Sequence, residues 1–252
     1  MAIYDGFASL YTRGPYTRYS KRMAEAMPAV LGRLGAAPRS LLDIACGEGT
    51  FAVAMARAGL RATGIDQSAR MVECARWRAR EAEVEVTFTQ ADMRRPGLAG
   101  RFDLVTCWYD SLNYLLTTRD LEAAFRGVRD LLSPQGLFIF DMNTIRGLAV
   151  MWQSPPHCVV QDEADIFDVH VNSYDFETNL ATKRVIGFIR QGGAWTRVDE
   201  EHVERAYSLA QIRASLAAAG LGEAACWGNI ETMTEPGPDA GRVWFLAKPA
   251  DI

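Results

Sequence analysis

Apolar positions follow two rhythms along this chain, and the change between them divides it. Between residues 40 and 148, short apolar runs at 41–45, 62–65, 84–89, 102–107 and 137–140 each have the length of one strand. Stretches with apolar residues every three or four positions separate them, at 51–57, at 68–80 with Met71, Val72 and Ala75 inward, and from Thr117 or Thr118 to Leu132. Gly59 is placed to end the first of these as a left-handed cap and Ser68 to start the second, while Ser133-Pro134-Gln135-Gly136 stops the third. Strands alternating with helices predict a parallel sheet with helices on both faces. From His157 to Tyr207 the helical spacing vanishes and the pattern becomes strand and turn, with hairpin joints at Thr178-Asn179 and Gly192-Gly193. Ser208 then caps a last helix ended by Gly220, and 221–227 and 242–247 read as two closing strands around a Pro/Gly-rich loop.

The N-terminal part is helical up to about Leu34, with Pro28 as a restart or kink. The expected organisation is therefore an N-terminal helical flap at 1–38, an α/β core at 39–148 and 207–252, and an antiparallel β insertion at 149–206.

The chemistry concentrates at 40–66, SLLDIACGEGTFAVAMARAGLRATGID, a strand, turn, helix and strand ending in a carboxylate. Glycines in the turn let backbone N–H groups approach a ligand, and Asp66 is placed to accept from both hydroxyls of a ribose. Gly47, Gly49 and Ala52 satisfy the dinucleotide pattern G-x-G-x-x-A, which by itself is weak. Asp43 inside the strand and Glu48 between the glycines suit a ligand carrying a positive amino group better than a pyrophosphate.

LLDIACGEGT, GIDQS, QADMR and FDLVTCWYDSLNYL, in this order at successive strand ends, resemble the class I (Rossmann-like) S-adenosylmethionine-dependent methyltransferases of the bacterial small-molecule type. The likeness covers residues 39–143. It implies a Rossmann-like seven-stranded, mostly parallel sheet whose seventh strand is antiparallel. It also implies S-adenosylmethionine as methyl donor, S-adenosylhomocysteine as product, and cofactor contacts from Asp43, Ala45, Cys46, Gly47, Gly49, Asp66 and Gln67. Met71 is either core or a wall beside adenine. Asp92 is expected to accept from the adenine amine with Met93 over the ring, or else to end the strand as a turn residue. Cys107 and Trp108 would lie along the cofactor. Tyr109, Ser111, Asn113, Tyr114 and Asn143 would meet the acceptor, while Asp110, Ser111 and Asn113 equally suit loop-holding roles. Of the tyrosines ahead of the first strand, Tyr16 and Tyr19 are expected over the cofactor in preference to Tyr4 and Tyr11. Rings that simply pack a flap are the alternative.

In the insertion, Glu200, His202 and Glu204 share one strand face. Carboxylates beside His202 would stabilise its cation and make it a candidate general base, with Asp110 or Tyr109 in reserve and Glu200 near the acceptor. A solvated charged strand is the plainer reading. In similar enzymes such an insertion roofs the active site; alternatively it forms a homodimer surface.

Composition narrows the partners. The 252 residues are 49% hydrophobic with a net charge of -4 and no basic block, so a nucleic-acid footprint is not indicated. Five scattered cysteines without a C-x-x-C pair, no signal-peptide pattern and no bilayer-length apolar run point to the cytoplasm and away from membranes. The three histidines lack ligand spacing, so no metal is expected. The function expected is methyl transfer to nitrogen or oxygen of a small-molecule acceptor. An NAD(P)-dependent oxidoreductase and a non-catalytic S-adenosylmethionine-binding module are the alternatives.

Overall fold

The computed structural model describes Tyr4 and residues 6–250. Two helices build the start of the chain: α1 (Ala8–Arg13) and the longer, amphipathic α2 (Thr17–Arg33), which runs through Pro28. Strand β1 (Ser40–Ile44) follows and is buried at every position. It has to be, because it lies in the middle of a sheet between β2 (Arg61–Asp66) and β4 (Phe102–Cys107), with helices above and below. Helix α3 (Thr50–Arg57) links β1 to β2, and helix α4 (Ala69–Glu81) links β2 to β3 (Val86–Gln90). Helix α5 (Thr118–Leu131) leads into β5 (Leu132–Asn143). The last helix, α6 (Leu209–Ala218), precedes β10 (Leu221–Trp227) and β11 (Arg242–Pro249).

The large sheet has the order β10-β11-β5-β4-β1-β2-β3, with β11 antiparallel to both of its neighbours and the remaining pairings parallel. The expected seven-stranded Rossmann-like sheet is thus present, antiparallel strand included. Alternation along the strands assigns each face its own core. Leu42, Val105, Phe138 and Phe140 pack with Phe125 of α5 and Ile212 and Leu216 of α6. Leu41, Leu104 and Ile139 point the other way, to Met23, Met27, Phe51 and Met55 of α2 and α3. Each such side chain contributes about 1.5–3 kcal/mol by leaving water.

Helix starts obey their local signals. Ser68, Thr117 and Ser208 each accept a backbone N–H of the first turn, and Ser208 with Gln211 forms a reciprocal capping box. The Ser133-Pro134-Gln135-Gly136 stop behaves differently from its expectation. Leu132 already pairs with Phe102, and the four residues are absorbed as an irregularity before Leu137 pairs with Leu104.

The inserted segment forms a second, antiparallel sheet of four strands: β6 (His157–Glu163), β7 (Ile166–Asp175), β8 (Leu180–Gln191) and β9 (Ala194–Arg205). Its hairpins turn at Asn179, Gly192 and Gly193, all with positive φ. One face of this sheet carries Ile166, Val185 and Ile189 against Phe7, Leu10, Tyr11 and Tyr16. Gly187 makes that approach possible, since a Cβ there would sit 2.1 Å from Leu10 Cδ1. The N-terminal segment therefore rests on the small sheet on one side and reaches Met71 of α4 on the other.

Candidate active site

A cavity of about 320 Å³ opens where the carboxyl ends of β1, β2 and β4 diverge. Its lining unites Asp43, Ala45, Cys46 and Gly47 from the first turn, Asp66, Gln67 and Met71 from the second, and Asp92 and Met93 from the third. Trp108, Tyr109, Ser111 and Tyr114 come from the fourth. Four stretches far apart in sequence thus meet around one space.

The first turn is shaped by its backbone. Ala45, Gly47 and Gly49 all have positive φ, and the N–H of Gly47 donates to Asp66 Oδ2 at 2.9 Å. Asp66 Oδ1 accepts from the N–H of Ser68 at 2.9 Å, so one carboxylate ties the tips of β1 and β2 together while still lining the cavity. Gly49 does not line it. A Cβ there would lie 2.9 Å from Ala75 and from Phe88, so this glycine serves helix packing. Glu48 also turns away from the ligand side. Its buried carboxylate pairs with Arg78 Nη2 at 2.5 Å and accepts from Thr50 Oγ1 at 2.9 Å. The acidic character of the cavity near this turn therefore rests on Asp66 and on Asp43. That side chain is 1% exposed, accepts from Thr106 Oγ1 at 2.8 Å, and is pushed up to about 8 by burial.

At the third strand end, Arg94 reaches back to Asp92 Oδ2 at 2.5 Å and across to Asp120 Oδ1 at 3.2 Å, and all three residues line the cavity. The hydrogen bonds from Arg94 hold the Asp92 carboxyl below its ordinary range.

The fourth strand end carries two consecutive non-glycine residues in the left-handed region, Tyr109 at φ 58° and Asp110 at φ 56°. Strain of order 1–3 kcal/mol per residue needs a compensating grip. Asp141, at the tip of β5, supplies it by accepting the N–H of Tyr109 at 2.7 Å and of Asp110 at 3.0 Å. Arg242 of β11 pairs with Asp141, lies 3.4 Å from Asp110, and places its guanidinium 5.0 Å from the Tyr19 ring centroid and 5.6 Å from that of Tyr109. Tyr19 stacks on Tyr109 at 4.7 Å. Trp108 packs edge-on to Phe51, also a lining residue.

Nine sequence candidates stand behind this wall. Tyr16 donates to Asp168 and lies 2.9 Å from His170 Nε2, joining the N-terminal segment to β7. Tyr19 backs Tyr109. Gly49 and Cys107 are in the core. Asp110 accepts from Asn143 Nδ2 at 2.6 Å, and Asn113 bridges the carbonyls of Asn143 and Arg205. Asn113 and Asn143 are thus used in holding strand ends together, because buried amides must be satisfied locally. Glu200 accepts from the backbone N–H groups of Tyr4 at 2.5 Å and Phe7 at 3.0 Å. His202, 2% exposed, is packed by Tyr4 and Phe7 rings and stands behind the lining residues Tyr4 and Tyr114, the hydroxyl of Tyr114 lying 3.1 Å from Nδ1. Burial holds the imidazole down at about 3, the reverse of the stabilised cation expected from flanking carboxylates.

No described residue of 149–206 lines the cavity. Tyr4 and Tyr11 line it from the N-terminal segment, in place of Tyr16 and Tyr19. Ser20, Ala91, Arg94, Leu115, Leu116 and Asp120 complete it and carried no sequence signal of their own.

The sequence profile of a methyltransferase domain family matches residues 41–136. A Bacillus subtilis (strain 168) protein named "Putative methyltransferase YqeM" is 30% identical over 251 residues, covering 98% of this chain and 97% of that protein. The chain belongs to the class I S-adenosylmethionine-dependent methyltransferases. The crystal structure of an S-adenosylmethionine-dependent methyltransferase from Clostridium acetobutylicum ATCC 824 shares the fold, with a TM-score of 0.85, 24% identity and coverage of 99% of this chain and 100% of the other. The sugar N-methyltransferase KedS8 from Streptoalloteichus sp ATCC 53650 shares it at a TM-score of 0.76 and 21% identity over 96% and 92% of the two chains. Two acidic side chains, Asp43 and Asp66, line the space at the strand tips, and carboxylates are acceptors that suit ammonium and hydroxyl groups. Among the described residues no helix is long and apolar enough to cross a membrane.

Proposed function

We propose that this methyltransferase acts on a nitrogen or oxygen atom of a small-molecule acceptor. The observation that carries the reading is a single cavity with two ends of different chemistry. Asp43 and Asp66 line one end, and Tyr4, Tyr11, Tyr109 and Tyr114 line the other. S-adenosylmethionine bound there supplies a methyl group already activated on a sulfonium. Asp43 would hold its ammonium, Asp66 its ribose hydroxyls and Met71 and Met93 its adenine. The chain's remaining task is to hold the acceptor's lone pair close and aligned and to exclude water, which alone is worth several orders of magnitude in rate.

The tyrosines give the acceptor end an apolar body with polar tips. Tyr114 is the lining residue whose hydroxyl reaches His202, and a neutral imidazole can take a hydrogen bond from that hydroxyl. Fold likeness to a sugar N-methyltransferase supports a small polar acceptor.

A diphosphate cofactor finds little here. Arg94 is the one basic side chain lining the cavity among the described residues, and Asp92 and Asp120 hold it. The open tyrosine end also speaks for transfer over a module that only binds cofactor.

Calorimetric titration with S-adenosylmethionine, S-adenosylhomocysteine and NADH tests the reading, followed by a labelled-methyl screen over amines, phenols and sugars. Saturable binding of the first two with methyl incorporation is expected. Binding of NADH alone would reject it.

A further inference from the structure

We infer that the outer face of the four-stranded sheet binds a second copy of this chain, packed face to face about a two-fold axis that runs along the strands. The inner face is already spent. Asp168 and His170 of β7, Val185 and Ile189 of β8, and Glu200 and His202 of β9 all meet the N-terminal segment. Side chains alternate across a strand, so Phe167, Val169 and Val171 of β7 and Ile186 and Phe188 of β8 point the other way. Val159 of the edge strand β6, 56% exposed and paired with Val169, joins them. Among the described residues, none of these six belongs to an apolar core. They form one block, in which Phe167 pairs with Phe188, their ring centroids 6.5 Å apart, and Val169 with Ile186. A sheet with one wet face is polar on that face, and an apolar block in its place marks an interaction surface.

The charges around the block fit the same surface turned over. Strand register sets three rows across the outer face, read from β6 to β9: Asp162, Phe167, Phe188, Arg197; then Val159, Val169, Ile186, Asp199; then His157, Val171, Arg184, Glu201. A two-fold axis along the strands, midway between β7 and β8, lays each row reversed upon its copy. Asp162 then faces the partner's Arg197, His157 the partner's Glu201, Phe167 the partner's Phe188 and Val169 the partner's Ile186. Asp162, His157, Arg197 and Glu201 are exposed in the single chain, and the long side chains among them accommodate the rotation of about 30° usual between aligned sheets. A two-fold across the strands would instead set Asp199 against its own copy and Arg184 against the partner's Phe188, separating the aromatic pair.

The size agrees. Four strands about 4.8 Å apart, each presenting about eight residues of 3.4 Å, give a footprint of roughly 500 Å² per copy and about 1,000 Å² for the pair, the lower bound of a specific interface. Association leaves the cavity open, since no described residue of 149–206 lines it. It braces from behind the sheet whose inner face holds the backbone of Tyr4 and Phe7 through Glu200. The inference is independent of which ligand the cavity takes.

The test is sedimentation velocity on the full chain, in reducing buffer so that the exposed Cys158 cannot link copies. A reversible species of twice 27.9 kDa is expected. Phe188→Glu and Val169→Glu should each leave only monomer, with an unchanged circular dichroism spectrum showing that the variants fold. Asp162→Arg should weaken association roughly tenfold or more, because like charges then meet twice in each dimer. Adding Arg197→Asp to that variant should restore it. A wild-type chain that stays monomeric, a dimer that survives both glutamate substitutions, or a charge swap that fails to restore association would overturn the inference.

Discussion

Glu200 Oε2 accepts the backbone N–H of Phe7 at 3.0 Å, across 193 positions of sequence, and the same carboxylate takes the N–H of Tyr4. The small sheet thus does not touch the cavity directly. It positions the segment carrying Tyr4 and Tyr11, which does. Hydrogen bonds to a charged acceptor contribute about 1.5–3 kcal/mol each. Glu200→Ala should weaken S-adenosylhomocysteine binding by roughly tenfold or more and speed amide exchange in residues 6–13, with little change in the global unfolding midpoint. Unchanged exchange in that segment would refute this role.

Asp43 should make cofactor binding a proton-releasing event. Burial raises its carboxyl to about 8, so at pH 6.5 the free protein holds it protonated, whereas a cofactor ammonium requires the carboxylate. Nearly one proton should leave per complex at pH 6.5. Calorimetry in two buffers of different ionisation enthalpy measures this directly. The sign for stability follows from the same shift. The folded state binds a proton that the unfolded state gives up from about pH 4, so Asp43 lowers stability progressively as pH rises towards 8. Asp43→Asn should therefore be at least as stable as wild type at pH 8.5 while binding cofactor at least about tenfold less tightly, the loss of one charged contact. An Asn variant that is both less stable and equally tight in binding would contradict the assignment.

Arg242 and Asp141 form the grip on the strained Tyr109-Asp110 turn, and Asp141 is fully buried. Removing the arginine leaves a buried carboxylate whose main partner is gone, which costs about 3–5 kcal/mol. Arg242→Met should lose that much in chemical denaturation. Arg242→Lys should recover only part of it, because a point charge cannot reproduce the fork-shaped contact or the stacking against Tyr19 and Tyr109. Full recovery by lysine would show that charge alone matters there.

These outcomes depend on residues that sequence reading reached unevenly, for physical reasons. The seven-stranded sheet was legible because each strand and helix carries its own period and its own stop, and Ser68, Thr117 and Ser208 cap as their chemistry dictates. The strand-tip residues Asp43, Gly47, Asp66 and Trp108 were legible because parallel topology sends all such tips to one edge. What escaped was set by contacts between distant segments. Whether Tyr4 or Tyr16 faces the cavity is decided by Glu200 holding one end of the segment and Asp168 the other. Glu48 is drawn away by Arg78, thirty positions on. Asn113 and Asn143 look like acceptor ligands in one dimension, but in three the Asn113 amide is spent on the Asn143 backbone and the Asn143 amide on Asp110 and Glu204. A single chain cannot announce such pairings by local pattern, since each partner alone is an ordinary polar residue.

His170 and His202 together should make the protein acid-sensitive. Burial is the leading cause that lowers both imidazoles to about 3, with the positive Lys183 adding to it, while the same rings in the unfolded chain titrate near 6.5. Both groups are packed from several sides: Asp168 and Tyr16 face His170, and Glu200, Tyr114 and Tyr4 face His202. Between pH 6.5 and 3 the unfolded state therefore binds two protons that the folded state refuses, and stability must fall as pH falls across that window. Each histidine contributes up to about 1.4 kcal/mol per pH unit to the slope. Denaturation midpoints of wild type between pH 7 and 5 should drop more steeply than those of His170→Gln and His202→Gln, with each substitution flattening the curve. The acidic limb of the methyl-transfer rate should shift with the first loss of the folded state and show no separate inflection near 6.5. If His202→Gln leaves the stability slope intact and removes such an inflection from the rate, His202 is titrating in the native protein and its neutral state is wrong.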